Sequence, residues 1–276
     1  MKASIKVDKV TVQVPYFLQP QELSGGWLST LLRAASSVPK RQFATLLHEI
    51  SFEANEGDRI ALLGRNGSGK TTLLRTLTGA FPPSDGKIRL EGTRQALLNM
   101  NIGFNQEATL IENIFLRATA MGFSTRMVKE LITPILEFAE LGELAGRRLL
   151  TLSSGQRMRL GFSIATAVST EIMLLDEWFG TGDIHFVKKA RERLMGHIGG
   201  SKIVVVASHN QALTNRLCNK GLVLERGRLV YYGPLDQAVK EYATIKPTPN
   251  PDLPTSIGDG FAKASGVGGM KISQQG

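Results

Sequence analysis

Apolar and polar positions alternate along Ser4-Ile5-Lys6-Val7-Asp8-Lys9-Val10, the period of a half-buried strand. Ile88-Arg89-Leu90, after the turn Pro82-Pro83-Ser84-Asp85-Gly86, reads the same way. Two other segments, Ile172-Met173-Leu174-Leu175 and Ile203-Val204-Val205-Val206-Ala207, are apolar without a break. Short unbroken runs suit strands of a parallel sheet covered on both faces. From Glu112 to Arg148 the pattern becomes helical, with Met127, Leu131, Ile135 and Phe138 at three- and four-residue steps. Leu222 to Tyr232, interrupted at Arg226-Gly227-Arg228, predicts a hairpin. Arg157 to Val168 stays open: Met158, Leu160, Phe162 and Ile164 alternate like a strand, while Met158, Phe162 and Ala165 also share a helix face. In the segment from Pro15 to Arg41, Trp27, Leu28, Leu31, Leu32 and Ala35 fall on one side of a helix, which would pack on its own domain or dock on a partner or membrane surface. After Tyr242 come Pro247, Pro249, Pro251 and Pro254 and then a Gly/Ser-rich run to Gly276. That composition offers too little apolar surface to offset ordering entropy, so 246–276 is expected to be a disordered tail.

Composition narrows the class. With 276 residues, 42% of them hydrophobic, the chain can bury a sizeable core and is not disordered throughout. Its longest uncharged stretches are about a dozen residues, well short of the ~20 needed to span a bilayer. The N-terminal residues lack the apolar core of a signal peptide, which predicts a protein of the cytosol or of a membrane's cytosolic face. A single cysteine, Cys218, excludes an internal disulfide and reads as a buried thiol rather than a nucleophile. The net charge of +9 is compatible with nucleic acid, phosphate or an anionic membrane and does not choose among them.

The chemistry starts after a third apolar run, Ile60-Ala61-Leu62-Leu63, with Gly64-Arg65-Asn66-Gly67-Ser68-Gly69-Lys70-Thr71. This is a complete G-x-x-x-x-G-K-[ST] loop. Its glycines let consecutive N–H groups face one anion, Lys70 supplies charge for the β/γ-phosphates, and Thr71 offers a hydroxyl to Mg²⁺. Thr72-Leu73-Leu74-Arg75 then opens a helix whose N-terminal dipole adds to the same site. Asp176 and Glu177 leave the Ile172–Leu175 run, where the first acid can hold Mg²⁺ and the second can polarise an attacking water. His209 follows the run ending at Ala207, the strand edge at which ligands of open α/β sheets gather. Leu152-Ser153-Ser154-Gly155-Gln156 precedes the ambiguous segment, as a helix N-cap or as an anion site facing a second subunit's nucleotide.

In this order, phosphate loop, helical insert, Leu152–Gln156, Leu174-Leu175-Asp176-Glu177 and Ser208-His209 resemble the nucleotide-binding subunit of an ABC transporter, over about residues 4–242. Glu112-Asn113-Ile114, Glu137 to Leu144, Ser153-Ser154-Gly155, Arg159 to Ala165, Gly182-Asp183 with Phe186, and Leu217-Cys218 are similar to the branch that exports O-antigen, capsule or teichoic acid. The resemblance implies an α/β P-loop fold with a mixed-sheet RecA-like core, an N-terminal antiparallel β-subdomain and a helical subdomain at about 110–160, within a domain at 1–245. It also implies a homodimer under a separate integral-membrane permease on the cytosolic side of the inner membrane, hydrolysing ATP with Mg²⁺ and binding no nucleic acid. Each ATP would lie between one copy's Gly64 to Thr72 and the other copy's Ser153, Ser154 and Gly155. Thr71, Asp176 and Gln106 would hold Mg²⁺, Glu177 would act as general base, His209 would contact the γ-phosphate, and Asp183 would couple the sites. Tyr16 or Phe17 would stack on adenine, with Phe43 as a rival. The chain departs from the branch in the loose register around Gln106, in Met100-Asn101 where a Leu-Gly pair usually stands, and in the bulky Trp178 and Phe179. The short stretch after Tyr242 leaves no room for an appended sugar-binding domain, so recognition of a polymer end is not expected. A soluble ATPase acting on nucleic acid or ribosomes is the alternative, supported only by net charge; a non-catalytic subunit conflicts with Lys70, Asp176, Glu177 and His209 together.

Overall fold

A computed structural model describes residues 2–17, 41–98, 103–176, 183–208 and 210–245. In chain order these form β1 (Ser4–Phe17), β2 (Arg41–Asn55), β3 (Arg59–Leu63), α1 (Lys70–Thr78), β4 (Asp85–Glu91), β5 (Arg94–Leu97), α2 (Leu110–Ala120) and α3 (Thr125–Ala139). Two 3-10 turns (Gly142–Leu144 and Leu149–Thr151) follow, then α4 (Ser154–Ala165), β6 (Ile172–Asp176), α5 (Ile184–Gly200), β7 (Ile203–Ala207), α6 (Gln211–Leu217), β8 (Lys220–Glu225), β9 (Arg228–Pro234) and α7 (Leu235–Thr244). The strands make one mixed sheet in the order β4-β1-β2-β9-β8-β3-β7-β6-β5.

The unbroken apolar runs lie at its centre, where β3 pairs in parallel with both β7 and β8, and β6 pairs in parallel with β7 and β5. Alternate side chains of each run enter different cores. Ile172, Leu174, Ile203 and Val205 join α1 on one face, while Met173, Leu175, Val204 and Val206 join α5 on the other. Both faces are covered, which is why these strands can afford no polar positions. The hairpin expected at 222–232 is β8–β9, antiparallel, turning at Arg226 (φ 49°) and Gly227 (φ 74°).

Two expectations change. The first strand does not end at Val10, and Pro15, Tyr16 and Phe17 belong to it, paired in backbone register with Phe43, Gln42 and Arg41 of β2. Register shifts near Lys9 (φ 47°) and Glu49 (φ 46°) interrupt the two-residue period that would have revealed the long ribbon. The helical stretch from Glu112 to Arg148 is divided among most of α2, all of α3 and the 3-10 turn at Gly142–Leu144. Thr109 caps α2 in a capping box with Glu112, and Ser124 caps α3. The open segment Arg157 to Val168 is helical through Ala165.

Helices α2, α3 and α4 pack around Leu110, Ile114, Ile135, Leu149, Leu160 and Ile164, a third core set apart from the sheet's two. A cluster of rings joins it to α5: Phe138 of α3, Phe162 of α4 and Phe186 of α5 stand 5.8–6.0 Å apart. Phe162 and Phe186 are fully buried, each stabilising by roughly 1.5–3 kcal/mol. Glu140, just past α3, accepts from Arg159 at 2.9 Å and from Lys189 at 3.3 Å, closing the same three-helix junction. Among the described residues no helix is long and apolar enough to cross a membrane. The predicted helix at Trp27 to Ala35 and the tail 246–276 lie outside the described residues.

Candidate functional site

Strands β3, β6 and β7 all end at the same sheet edge, so Gly64, Asp176 and Ser208 emerge together. Directly after β3 the chain makes a glycine-rich turn into α1. Two of its glycines are required on physical grounds. A Cβ on Gly64 would collide with Ser68 Oγ and with the Leu224 carbonyl oxygen of β8. Gly69 caps α1 with φ 105°, a conformation that costs other residues about 1 kcal/mol or more. The loop is also fastened from outside: Gly227 N, at the β8–β9 turn, donates to Ser68 O at 2.9 Å, and His48 N of β2 donates to Gly227 O at 2.8 Å.

No side chain caps α1, and no acidic residue lies in its first turn, so the positive end of the helix dipole faces the loop unopposed. Lys70, only 9% exposed, donates to the carbonyls of Gly64 (2.6 Å) and Arg65 (3.0 Å). Burial pushes its ammonium below the usual lysine range, and the charge of Asp176 partly opposes that shift. Ser68 Oγ is buried with no hydrogen-bond partner among the described residues. Thr71 Oγ1 donates to Asp176 Oδ2 at 2.8 Å across 105 residues of sequence. Two hard oxygen donors thus stand side by side next to a buried ammonium and an uncapped helix terminus. That set can take a polyphosphate with Mg²⁺, which prefers one or two protein oxygens beside phosphate and water. Among the described residues no cluster of three or more His, Cys, Asp or Glu could replace it as a metal site.

The remaining predicted residues are distributed differently. Ser153 caps α4, its hydroxyl accepting from Gln156 N at 3.2 Å while Gln156 Oε1 accepts from Ser153 N at 2.9 Å. The capping box fixes the start of α4, and Ser153 and Ser154 are both exposed. Gln106 is exposed and lines a cavity of about 220 Å³ with Phe104, Leu149, Ser154 and Arg157. Asp183 caps α5, accepting from His185 N at 3.0 Å. Phe43 is 57% exposed on the β1–β2 ribbon, opposite Pro15, and Tyr16 pairs there through its backbone with Gln42. Arg65, Asn66 and Gly67 form the exposed tip of the phosphate loop, and Thr72 is half-buried in α1. Glu177, Trp178, Phe179, Gly182, His209 and Met100-Asn101 lie outside the described residues. Cys218 is half-buried and follows α6, where burial pushes its thiol up to about 11 and removes it as a nucleophile.

Sequence reasoning assigned no role to Asn113, which the structure ties to the Gln106 segment, or to Arg117, whose guanidinium lies 4.4 Å from the Phe104 ring centroid. On a helix both read as solvent-facing residues, and only their burial distinguishes them. Burial pushes Arg117 down to about 10.

Residues 47–180 match the family model for the ABC transporter. The chain is 44% identical over 192 residues to the O-antigen export system ATP-binding protein RfbE of Yersinia enterocolitica, covering 70% of this chain and 80% of that one. It is 36% identical over 196 residues to the teichoic acids export ATP-binding protein TagH of Staphylococcus saprophyticus, covering 71% and 74%. In fold it is similar to a dimeric ATP-binding cassette solved in a post-hydrolysis state with ADP and Pi, with a TM-score of 0.60, 19% identity and coverage of 84% of this chain and 98% of that one. A buried lysine in a P-loop, a Thr71–Asp176 pair at the shared strand edge and these likenesses agree: the chain belongs to the ABC transporter family, among its ATP-binding export proteins.

Proposed function

We propose that this chain is the ATP-hydrolysing subunit of an exporter that moves a cell-surface polysaccharide or lipid-linked glycan through a separate membrane permease, docked on the permease's cytosolic side. The observation that carries the ATPase half is the Thr71–Asp176 contact at 2.8 Å beside Lys70. The transport half rests on the two export-system relatives. Nucleic acid enters only through net charge and gains no support from them.

Lys70 exchanges the Gly64 and Arg65 carbonyls for β/γ-phosphate oxygens, which offset the burial of its charge. The loop N–H groups and the α1 dipole take the remaining phosphate charge. Thr71 and Asp176 would hold Mg²⁺, with Gln106 as a further oxygen donor, and the ion would supply charge neutralisation at the transferring phosphoryl group. Glu177, one residue beyond Asp176, orients and deprotonates the attacking water, and His209 contacts the γ-phosphate. Ser153, Ser154 and Gly155 reach the nucleotide of a second copy, a reading supported by the exposure of both serines in the single chain. Tyr16 or Phe17 stacks on adenine, with Phe43 as the rival. A homodimer with two composite sites is the working unit, in keeping with the dimeric cassette of the same fold.

The test is Glu177→Gln. Turnover should fall by at least about a hundredfold with ATP binding retained, and ATP should shift the variant from monomer to dimer in size-exclusion chromatography. Unchanged turnover would remove Glu177 from the reaction, and a variant that stays monomeric with ATP would remove the composite site.

A further inference from the structure

Asn113 has no solvent exposure, although it lies on a helix, between Glu112 and Ile114. A buried amide must find partners, and this one finds them all in a single neighbouring segment. Its Oδ1 accepts from Asn105 N at 2.8 Å, and its Nδ2 approaches the carbonyls of Asn105 (2.9 Å), Ala108 (3.2 Å) and Thr109 (2.9 Å). The paired bonds to both backbone groups of Asn105 fix the peptide immediately before Gln106. Residue 104 is held as well, because Arg117, one helical turn beyond Asn113, stacks on the Phe104 ring. Gln106 itself is held by a second segment, its carbonyl accepting from Leu150 N at 2.9 Å, while Leu149 N donates to Ala108 O at 2.9 Å. Its side chain alone remains exposed, facing the cavity shared with Ser154 and Arg157.

We propose that Asn113 is a positioning residue for Gln106: it clamps the backbone of 105–109 to α2 so that the Gln106 side chain is held at one depth in the cavity it lines, from which it would serve as the further oxygen donor to Mg²⁺. The inference rests on the reading of Gln106 as an oxygen donor to that ion. It separates Asn113 from the ordinary buried polar residue, whose loss weakens the fold without touching the metal.

The experiment measures ATP turnover of the full chain against Mg²⁺ concentration for Asn113→Ala, Gln106→Ala and the double variant. Ser124→Ala, which removes the cap of α3 and lies outside the clamped segment, serves as the stability control. Asn113→Ala should raise the Mg²⁺ needed for half-maximal turnover several-fold and lower kcat, with ATP affinity in EDTA unchanged. The double variant should be no worse than Gln106→Ala alone, because Asn113 acts only through that side chain. Ser124→Ala should lower Tm and leave the Mg²⁺ dependence where it was. If Asn113→Ala does not fold, Asn105→Pro removes the clasped N–H from the loop side and carries the same expectation. Wild-type Mg²⁺ dependence in the clasp variants, with Gln106→Ala impaired, overturns the positioning role alone. Losses that add in the double variant do the same. Wild-type behaviour of Gln106→Ala overturns the reading of Gln106 and the inference with it.

Discussion

The two ends of the central strands carry similar residues and use them in opposite ways. At the end where β3, β6 and β7 finish, Lys70 is buried and donates to two carbonyls of its own loop, and among the described residues Ser68 Oγ has no partner and helix α1 no side-chain cap. At the end where they begin, Lys202 bridges Glu56 at 3.0 Å and Glu171 at 2.9 Å, and Lys220 pairs with Asp58 at 2.8 Å. Arg59 donates to the carbonyls of Ile198 and Ser201, at the C-terminal end of α5 where a cation is favoured. The carboxylates are themselves shared out, Glu56 accepting from Ala3 N and Glu171 from Thr93 N. One end is closed, each charge answered by another part of the fold. The other keeps a desolvated cation and an open helix terminus, an arrangement that costs stability unless an anionic ligand arrives. Strand polarity alone therefore divides the sheet into an edge that holds the fold and an edge that works.

The lysines test that division most directly. Lys70→Ala should lower ATP turnover by at least about a hundredfold, because it removes the buried ammonium that the loop aims at the phosphates. Its melting temperature without nucleotide should stay close to that of the parent, since the substitution removes a desolvated charge together with two hydrogen bonds. Thermal shift with ATP, large for the parent, should vanish in the variant. A marked loss of Tm without nucleotide would mean that Lys70 also holds the fold and that the edges are not separate. Lys202→Met is the mirror experiment and the smaller effect. It keeps most of the aliphatic stem and strands two carboxylates near one another, so Tm should fall while kcat and KM for ATP stay at their parent values. A turnover defect would show that the closed edge reaches the site.

Most of this division could be read in the sequence, because its carriers are local patterns. The glycine loop, the acid after Leu174-Leu175 and the unbroken apolar runs each state their place within a few residues. The closed edge could not be read: Lys202, Glu56 and Glu171 lie far apart in the chain and look like any exposed charges until the sheet brings their strands together. The β1–β2 ribbon was missed for a different reason. Left-handed residues at Lys9 and Glu49 each insert a step into the ladder, so inward side chains lose their alternation in sequence while keeping it in space. The four residues of β5 were too few to show a period, and Gln95, buried there with neither amide atom bonded among the described residues, breaks the apolar expectation for such a strand. Asn113 was hidden by its type, since an amide on a helix reads as surface.

Titration separates the two lysines with the finest resolution. Lys202 is held above its ordinary 10.5, first by its bond to Glu171 and then by Glu56, while Glu171 and Glu56 are held below 4.5 by Lys202 and by the backbone N–H groups of Thr93 and Ala3. A base raised in the folded state stabilises fully below 10.5 and loses its contribution as pH rises through the folded value. Acids lowered in the folded state stabilise above 4.5 and lose their contribution as pH falls through theirs. The Tm difference between parent and Lys202→Met should therefore be widest between those limits and narrow on both sides. A difference that ignored pH would assign the effect to packing of the stem. Lys70 has the opposite sign, because burial lowers it below 10.5. Between its folded value and 10.5 the unfolded chain binds the extra proton, so parent stability relative to Lys70→Ala should rise with pH over the range in which the Lys202 difference has yet to fall. Alkaline melts of the two variants that moved in the same direction would mean that the working edge is as well satisfied as the closed one.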